Sequence, residues 1–175
     1  DQSLADGQAT GDGDDLLDGI NRAQLTGGTS DNRLDASAFT AGPVTLLGLG
    51  GDDTLTGGAG NDRLEGGDGS DEVHQQTGND QVLTDGVLTG HGSDLLLSVE
   101  HAVLTGDAGA NTIDASAFTS GGVTLVGADG DDSLIGGTLS DQLDGGNGTD
   151  TGIIAFDGDL VLTDTTVIGP GSDTV

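Results

Sequence analysis

Four aspartates recur at every ninth residue, Asp53, Asp62, Asp71 and Asp80, and a second set keeps the interval at Asp132, Asp141, Asp150 and Asp159. Each is the sixth residue of a nine-residue segment. From Gly48 the chain reads GLGGDDTLT, GGAGNDRLE, GGDGSDEVH and QQTGNDQVL; from Gly127 it reads GADGDDSLI, GGTLSDQLD, GGNGTDTGI and IAFDGDLVL. If two segments make one coil, residues 18 apart lie on the same side of successive coils. That places Asp53 above Asp71, Asp62 above Asp80, Asp132 above Asp150 and Asp141 above Asp159. Carboxylates stacked at this spacing repel one another unless a cation sits between them. Carboxylate and carbonyl oxygens suit a hard ion of flexible coordination, hence Ca²⁺; Mg²⁺ demands tighter octahedral geometry. Zn²⁺ would want His or Cys.

The elements that hold these side chains follow from the other letters. Paired glycines open half of these segments, and glycine supplies the positive φ of a tight turn. The last three residues, such as Arg63-Leu64-Glu65, form a minimal strand whose central aliphatic points inward and whose neighbours face solvent. The eighth position carries Leu55, Leu64, Val73 and Val82, then Leu134, Leu143, Gly152 and Val161. Strand, turn, strand, turn makes a flattened coil, and coils stack at about 4.8 Å. The expected fold is all-β, a right-handed parallel β-roll or β-solenoid.

Composition agrees with a cation-dependent fold. The 175 residues include 35 Gly and 31 acidic side chains against three Lys plus Arg, for a formal net charge of −28. Low hydrophobicity with such charge ordinarily marks disorder, but disordered chains have no reason to keep Gly and Asp in register. The charge disfavours nucleic acid and anionic membranes, so neither nucleic-acid binding nor membrane insertion is expected. Without Cys there is no disulfide scaffold and no thiolate metal site. A thin aliphatic core cannot by itself offset the entropy of ordering each coil, so ion binding is expected to be coupled to folding.

A longer period of 79 encloses the short one. LTGGTSDNRLDASAFTAGPVTL (25–46) matches LTGDAGANTIDASAFTSGGVTL (104–125), and Asp1-Gln2 matches Asp80-Gln81, with no gap needed. The chain divides into units 1–79 and 80–158, with 159–175 opening a third, all in one continuous solenoid. TGDGDDLLD (10–18) and TGHGSDLLL (89–97) are nonapeptides opened by Thr, with Asp15 and Asp94 in sixth place; Asp173 follows by the long period. Asn32 and Asn111 stand where Asp is expected, so those turns are expected to be metal-free. The DASAF segments (35–39 and 114–118) fall outside the nonapeptide pattern.

The Gly-Gly-x-Gly-x-Asp-x-aliphatic-x pattern at 48–74 and 127–150 resembles the RTX (repeats-in-toxin) calcium-binding family. That resemblance implies a parallel β-roll with several Ca²⁺ ions between same-side loops. One loop would give its Asp and the carbonyls of its second and fourth residues; the loop 18 residues on would give its Asp and the carbonyls of its first and third. The implied sites are Leu49, Gly51 and Asp53 with Gly66, Asp68 and Asp71, and Gly58, Gly60 and Asp62 with Gln75, Thr77 and Asp80. In the second unit they centre on Asp132 with Asp150 and on Asp141 with Asp159. Leu139, in place of a fourth-position Gly, is expected to distort the Asp141 loop.

Other constellations carry less. His91, Ser93 and Asp94 lie in one turn and cannot form a catalytic relay. There is no HExxH zinc motif, and without Lys no P-loop. Asp129–Asp132 lacks the Glu of an EF-hand. Ice binding would need a regular outward Thr/Asn row, which the turns do not supply. Phe39, Phe118 and Phe156 read as core caps. The resemblance, with no competing constellation, implies a non-enzymatic, calcium-rigidified structural segment of a secreted bacterial adhesin, surface-layer protein or extracellular filament, expected to be continued head-to-tail by further copies. The alternative is an RTX secretion and folding module of a type I secreted enzyme or toxin. No signal peptide and no initiator Met are present, and the chain reads as a piece of something longer.

Overall fold

The structure, a computed structural model, describes residues 1–11 and 14–153. Expectations for Phe156, Val161, Asp159, Asp173 and the unit opening at 159 fall outside these residues. The first unit holds β1 (Gln2–Ala5), β2 (Gln8–Thr10), β3 (Asp14–Leu16), β4 (Ala23–Thr26), β5 (Arg33–Ala38), β6 (Val44–Gly50), β7 (Thr54–Thr56), β8 (Arg63–Asp68) and β9 (Glu72–Gln76). The second repeats the series as β10 (Gln81–Thr84), β11 (Val87–Thr89), β12 (Ser93–Leu97), β13 (His101–Thr105), β14 (Thr112–Ala117), β15 (Val123–Val126), β16 (Ser133–Ile135), β17 (Gln142–Asp144) and β18 (Thr151–Ile153).

The strands form two nine-stranded sheets that run through both units. One, here the front sheet, has the order β17-β15-β13-β9-β7-β5-β1-β2-β3; the back sheet is β18-β16-β14-β10-β11-β12-β8-β6-β4. Most neighbours pair in parallel, as β7 with β9 (Leu55 opposite Val73) and β6 with β8 (Leu46 opposite Leu64). The central aliphatic of most nonapeptide strands points between the sheets; Val82, expected to do so, is instead exposed, because Gln81 and Leu83 take the inward places of β10. Leu34, Leu46, Leu55, Leu64, Val73, Leu104, Ile113, Leu125 and Leu134 are buried in one continuous core, together with Phe39 and Phe118. The β-roll expected from the nonapeptides is therefore present, all-β and without helices among the described residues.

One part of the expected stacking is corrected. After β9 the chain does not return to the strand beside β8. It runs past that place to β10, turns back as β11, and turns again as β12, which pairs with β8 in parallel (Leu95 opposite Arg63). This antiparallel meander puts three strands between β8 and β14 in the back sheet, where the front sheet has only β13 between β9 and β15. The turn that starts it is Thr84-Asp85-Gly86-Val87, a two-residue Asp-Gly hairpin loop. Asp85 then caps the neighbouring DASAF segment: its carboxylate accepts the Thr119 N–H (2.6 Å) and hydroxyl (2.7 Å) and the Ser120 N–H (3.2 Å). Asp6 does the same in the first unit for Thr40 and Ala41. Behind the meander a buried amide relay closes the gap. The Gln75 amide donates to Gln81 Oε1 (3.1 Å) and Thr89 O (2.9 Å), and Gln81 Nε2 donates to Thr105 O (3.0 Å).

The meander also exchanges the sheets. In the first unit β1, β2, β3, β5, β7 and β9 lie in the front sheet; their counterparts β10, β11, β12, β14, β16 and β18 all lie in the back sheet. Equivalent turns of successive units consequently sit on opposite edges of the roll.

Candidate metal centre

Turns that lead into front-sheet strands form one edge, and turns that lead into back-sheet strands form the other. On the first edge the Asn32 N–H donates to Asp53 Oδ1 (2.7 Å), and the Asp53 N–H donates to Asp71 Oδ1 (2.8 Å). On the opposite edge the second unit repeats this: Asn111 N–H to Asp132 Oδ1 (2.8 Å) and Asp132 N–H to Asp150 Oδ1 (2.8 Å). Each aspartate thus spends one oxygen on the rung before it. In Asp53, Asp71 and Asp132 the other oxygen, Oδ2, is buried with no hydrogen-bond partner.

Those oxygens face a cradle made by the turns. A Cβ placed on Gly48 would fall on Asp53 Oδ2 and on Gly66 O together; one on Gly127 would fall on Asp132 Oδ2 and Gly145 O. First-position glycine is therefore required by space. The second and fourth positions take the left-handed conformation that favours glycine, though Leu and Ala occupy the second place here: φ is 80° at Leu49 and 100° at Gly51, 83° at Ala128 and 119° at Gly130. This alternation aims the Leu49 and Gly51 carbonyls at the next coil, against Gly67 and Gly69. From that coil Asp68 O points back, accepting the Gly51 N–H (3.0 Å). Carboxylate and carbonyl oxygens from two coils converge, with no His or Cys among them. Among the described residues no group of three or more His, Cys, Asp or Glu side chains is placed to hold a metal. The donor set is instead backbone oxygen plus one carboxylate per rung, which fits a hard cation such as Ca²⁺.

Electrostatics point the same way. Burial pushes the Asp53, Asp71 and Asp132 carboxyls above the ordinary range, and like charges add to it: Asp31 and Asp52 at Asp53, Asp53 and Glu100 at Asp71, Asp150 and Asp131 at Asp132. A divalent ion against Oδ2 reverses that penalty.

The expected sets divide accordingly. Leu49, Gly51 and Asp53 come together with Gly66, Asp68 and Asp71, and the Asp132–Asp150 rung is its equivalent. The Asp62–Asp80 rung does not form, because the meander intervenes. Asp62 donates its N–H to Asp94 Oδ1 (2.9 Å), Gly60 O lies against Gly92, and the Ser93 N–H meets Asn61 Oδ1 (3.0 Å). Gln75 is drawn into the amide relay. Thr77 and Asp80 join the following coil, Thr77 N–H donating to Thr105 O (3.1 Å) and Asp80 Oδ1 accepting the Thr112 N–H (2.9 Å). Asp62 also differs in having Oδ2 engaged by the Gly58 N–H (2.8 Å). Asp94 is buried, and that burial, with the Asp62 charge, pushes its carboxyl up to about 7. Asp15, its counterpart, is exposed on the edge strand β3. Asp141 stacks under Val123, whose N–H it accepts (3.0 Å), and Leu139 of its loop is exposed without the left-handed φ of a fourth-position glycine. Asn32 and Asn111 turn their amide oxygens onto Gly28 N–H (2.6 Å) and Asp107 N–H (2.8 Å), filling the place where Asp leaves an oxygen free.

Sequence reasoning passed over Glu100, whose Oε2 accepts the Asp71 N–H (2.9 Å). Its letters carried no signal; only its place just before β13, beside β9, brings it to the ladder.

No curated protein matches the chain. A family model does: the RTX calcium-binding nonapeptide repeat, in four copies, over residues 47–82, 103–118 and 120–152. Those segments contain the buried Asp53–Asp71 and Asp132–Asp150 rungs. The chain carries RTX calcium-binding nonapeptide repeats, and these repeats bind several Ca²⁺ ions within a β-roll.

Proposed function

We propose that this chain is a structural segment of a secreted bacterial adhesin, surface-layer protein or filament, held rigid by Ca²⁺ and carrying no catalysis of its own. The observation that supports this most directly is the continuity of both sheets and of one core through two successive units. A unit docks on the next through β8 with β12 and β9 with β13, so the same registers extend an array of any length. Further copies, covalent or self-assembled, continue it head-to-tail. Folding awaits the calcium-rich exterior, because buried carboxylates without an ion oppose it. The acidic surface turns away nucleic acid, and no helix among the described residues is long and apolar enough to cross a membrane.

Circular dichroism and electron microscopy in millimolar Ca²⁺ and in chelator test this. The expectation is β signal and end-to-end particles in calcium, both lost in chelator. A compact, capped monomer in calcium would argue against the array, and an unchanged spectrum in chelator would sink the calcium-coupled fold.

A further inference from the structure

The row of turns that carries Asp53 and Asp71 continues into a turn of a different kind. The next one on that edge is 98–100, Ser98-Val99-Glu100, a short link between β12 and β13 that lies outside the matched repeats. Nothing in its letters follows the nonapeptide pattern, yet it reproduces the contacts of one. The Asp71 N–H donates to Glu100 Oε2 (2.9 Å), as the Asp53 N–H does to Asp71 Oδ1 (2.8 Å). The Glu100 and His101 N–H groups return to Asp71 O (3.0 and 2.9 Å), as the Glu72 N–H returns to Asp53 O (2.8 Å).

The cradle is reproduced as well. A Cβ on Gly66 would fall on Asp71 Oδ2 and on Ser98 O together, the collision that Gly48 would make with Asp53 Oδ2 and Gly66 O. Asp71 is 0% exposed, and its Oδ2 has no hydrogen-bond partner. A fully buried carboxylate oxygen facing a turn carbonyl, with a second carboxylate on the same rung, is a donor set without its acceptor. We propose that a hard divalent cation binds between Asp71 and the 98–100 turn, held by Asp71 Oδ2, Ser98 O and the Glu100 carboxylate. The turn is too short to present an aspartate as a nonapeptide loop does, and the extra methylene of glutamate covers the reach. Val99 fills the core where the missing loop residues would pass, and is 3% exposed. The first unit has Asn21 in place of Glu100, so the site arises only where the second unit follows the first.

This site rests on the calcium reading, and the test separates the two. Ions are counted by native mass spectrometry of the full chain in excess Ca²⁺, with circular dichroism on the same samples. Glu100→Gln should retain the β signal and bind one ion fewer than the unaltered chain. Glu100→Lys should also bind one fewer, because its ammonium takes the ion's place beside Asp71, and it should fold even where the Gln variant does not. An unchanged count in a folded variant overturns the proposal. Failure of both variants to fold in excess calcium overturns it too, since Glu100 would then be a packing residue. An unaltered chain that binds no calcium at all would instead remove the calcium reading itself.

Discussion

Asp53→Asn should change the stability of this protein in opposite directions depending on calcium. Asp53 is 1% exposed; its Oδ1 accepts the Asn32 N–H (2.7 Å) and its Oδ2 faces the cradle unpartnered. The amide keeps the shape and the first hydrogen bond, and Asn32 on the adjoining rung shows that an amide is accommodated in such a turn. With calcium bound, the substitution removes one carboxylate from a buried ion site. Breaking a buried charge pair from one side costs about 3–5 kcal/mol, which corresponds to roughly two to four decades in affinity for that ion. Without calcium the same change removes a buried, unsatisfied and like-charged oxygen, relieving about 1–3 kcal/mol. Circular dichroism in chelator, and urea unfolding followed by the same signal in millimolar Ca²⁺, read the two arms. The expected pattern is more β signal than the unaltered chain keeps in chelator and a lower urea midpoint in calcium. Equal destabilisation in both solutions would refute the reasoning, because Asp53 would then act through packing and not through charge.

Acid should stabilise the ion-free chain. The Asp53, Asp71 and Asp132 carboxyls are raised by burial, and Asp94 by burial to about 7. A carboxyl raised on folding takes up a proton as the chain folds, so the penalty is absent below the unfolded value of 3.8 and grows as pH rises through the folded values. In chelator the β signal should therefore strengthen as pH falls from 7 towards 4, whereas in calcium acid should expel ions; a fall with acid in both conditions would contradict this. Gly48→Ala should abolish the Asp53–Asp71 site, because its Cβ falls on Asp53 Oδ2 and Gly66 O; calorimetry with undiminished ion uptake would count against it. Gln81→Ala removes two buried hydrogen bonds, leaving the Gln75 amide on Thr89 O and Thr105 O on the Thr77 N–H, and should cost about 1–3 kcal/mol, with calcium stoichiometry unchanged; a lower ion count would contradict the assignment of the relay to the scaffold.

How much of this was legible beforehand varied with how local the cause was. The eighth-position aliphatics Leu55, Leu64, Val73 and Leu134 are all buried as their period requires, and the 18-residue spacing of Asp53 and Asp71 is an observed rung. Both follow from short-range geometry: a glycine turn, a three-residue strand and a two-residue alternation. The meander was hidden because TGHGSDLLL wears nonapeptide letters, so Asp94 was read as one more loop in line. The contrary signal lay beside it. Val82-Leu83-Thr84 and Val87-Leu88-Thr89 flank Asp85-Gly86, a two-residue hairpin loop between matched apolar strands. Repeat counting outweighed turn chemistry, and the pairing of Asp62 with Asp80 was lost with it. Glu100 escaped for a different reason: its role depends on which strand lies beside β9, and that is decided by where the meander ends.

The exchange of sheets at each meander bears on how a long run of these units would behave. Every unit adds surplus strands to one face only, a wedge that would by itself make the stack lean. Because the next unit places its wedge on the other face, the two leans oppose each other, and a rod of many units stays straight where a rod of identically oriented ones would curl. A partner that reads one flank would meet the same feature only at alternate units, like rungs painted on every second step.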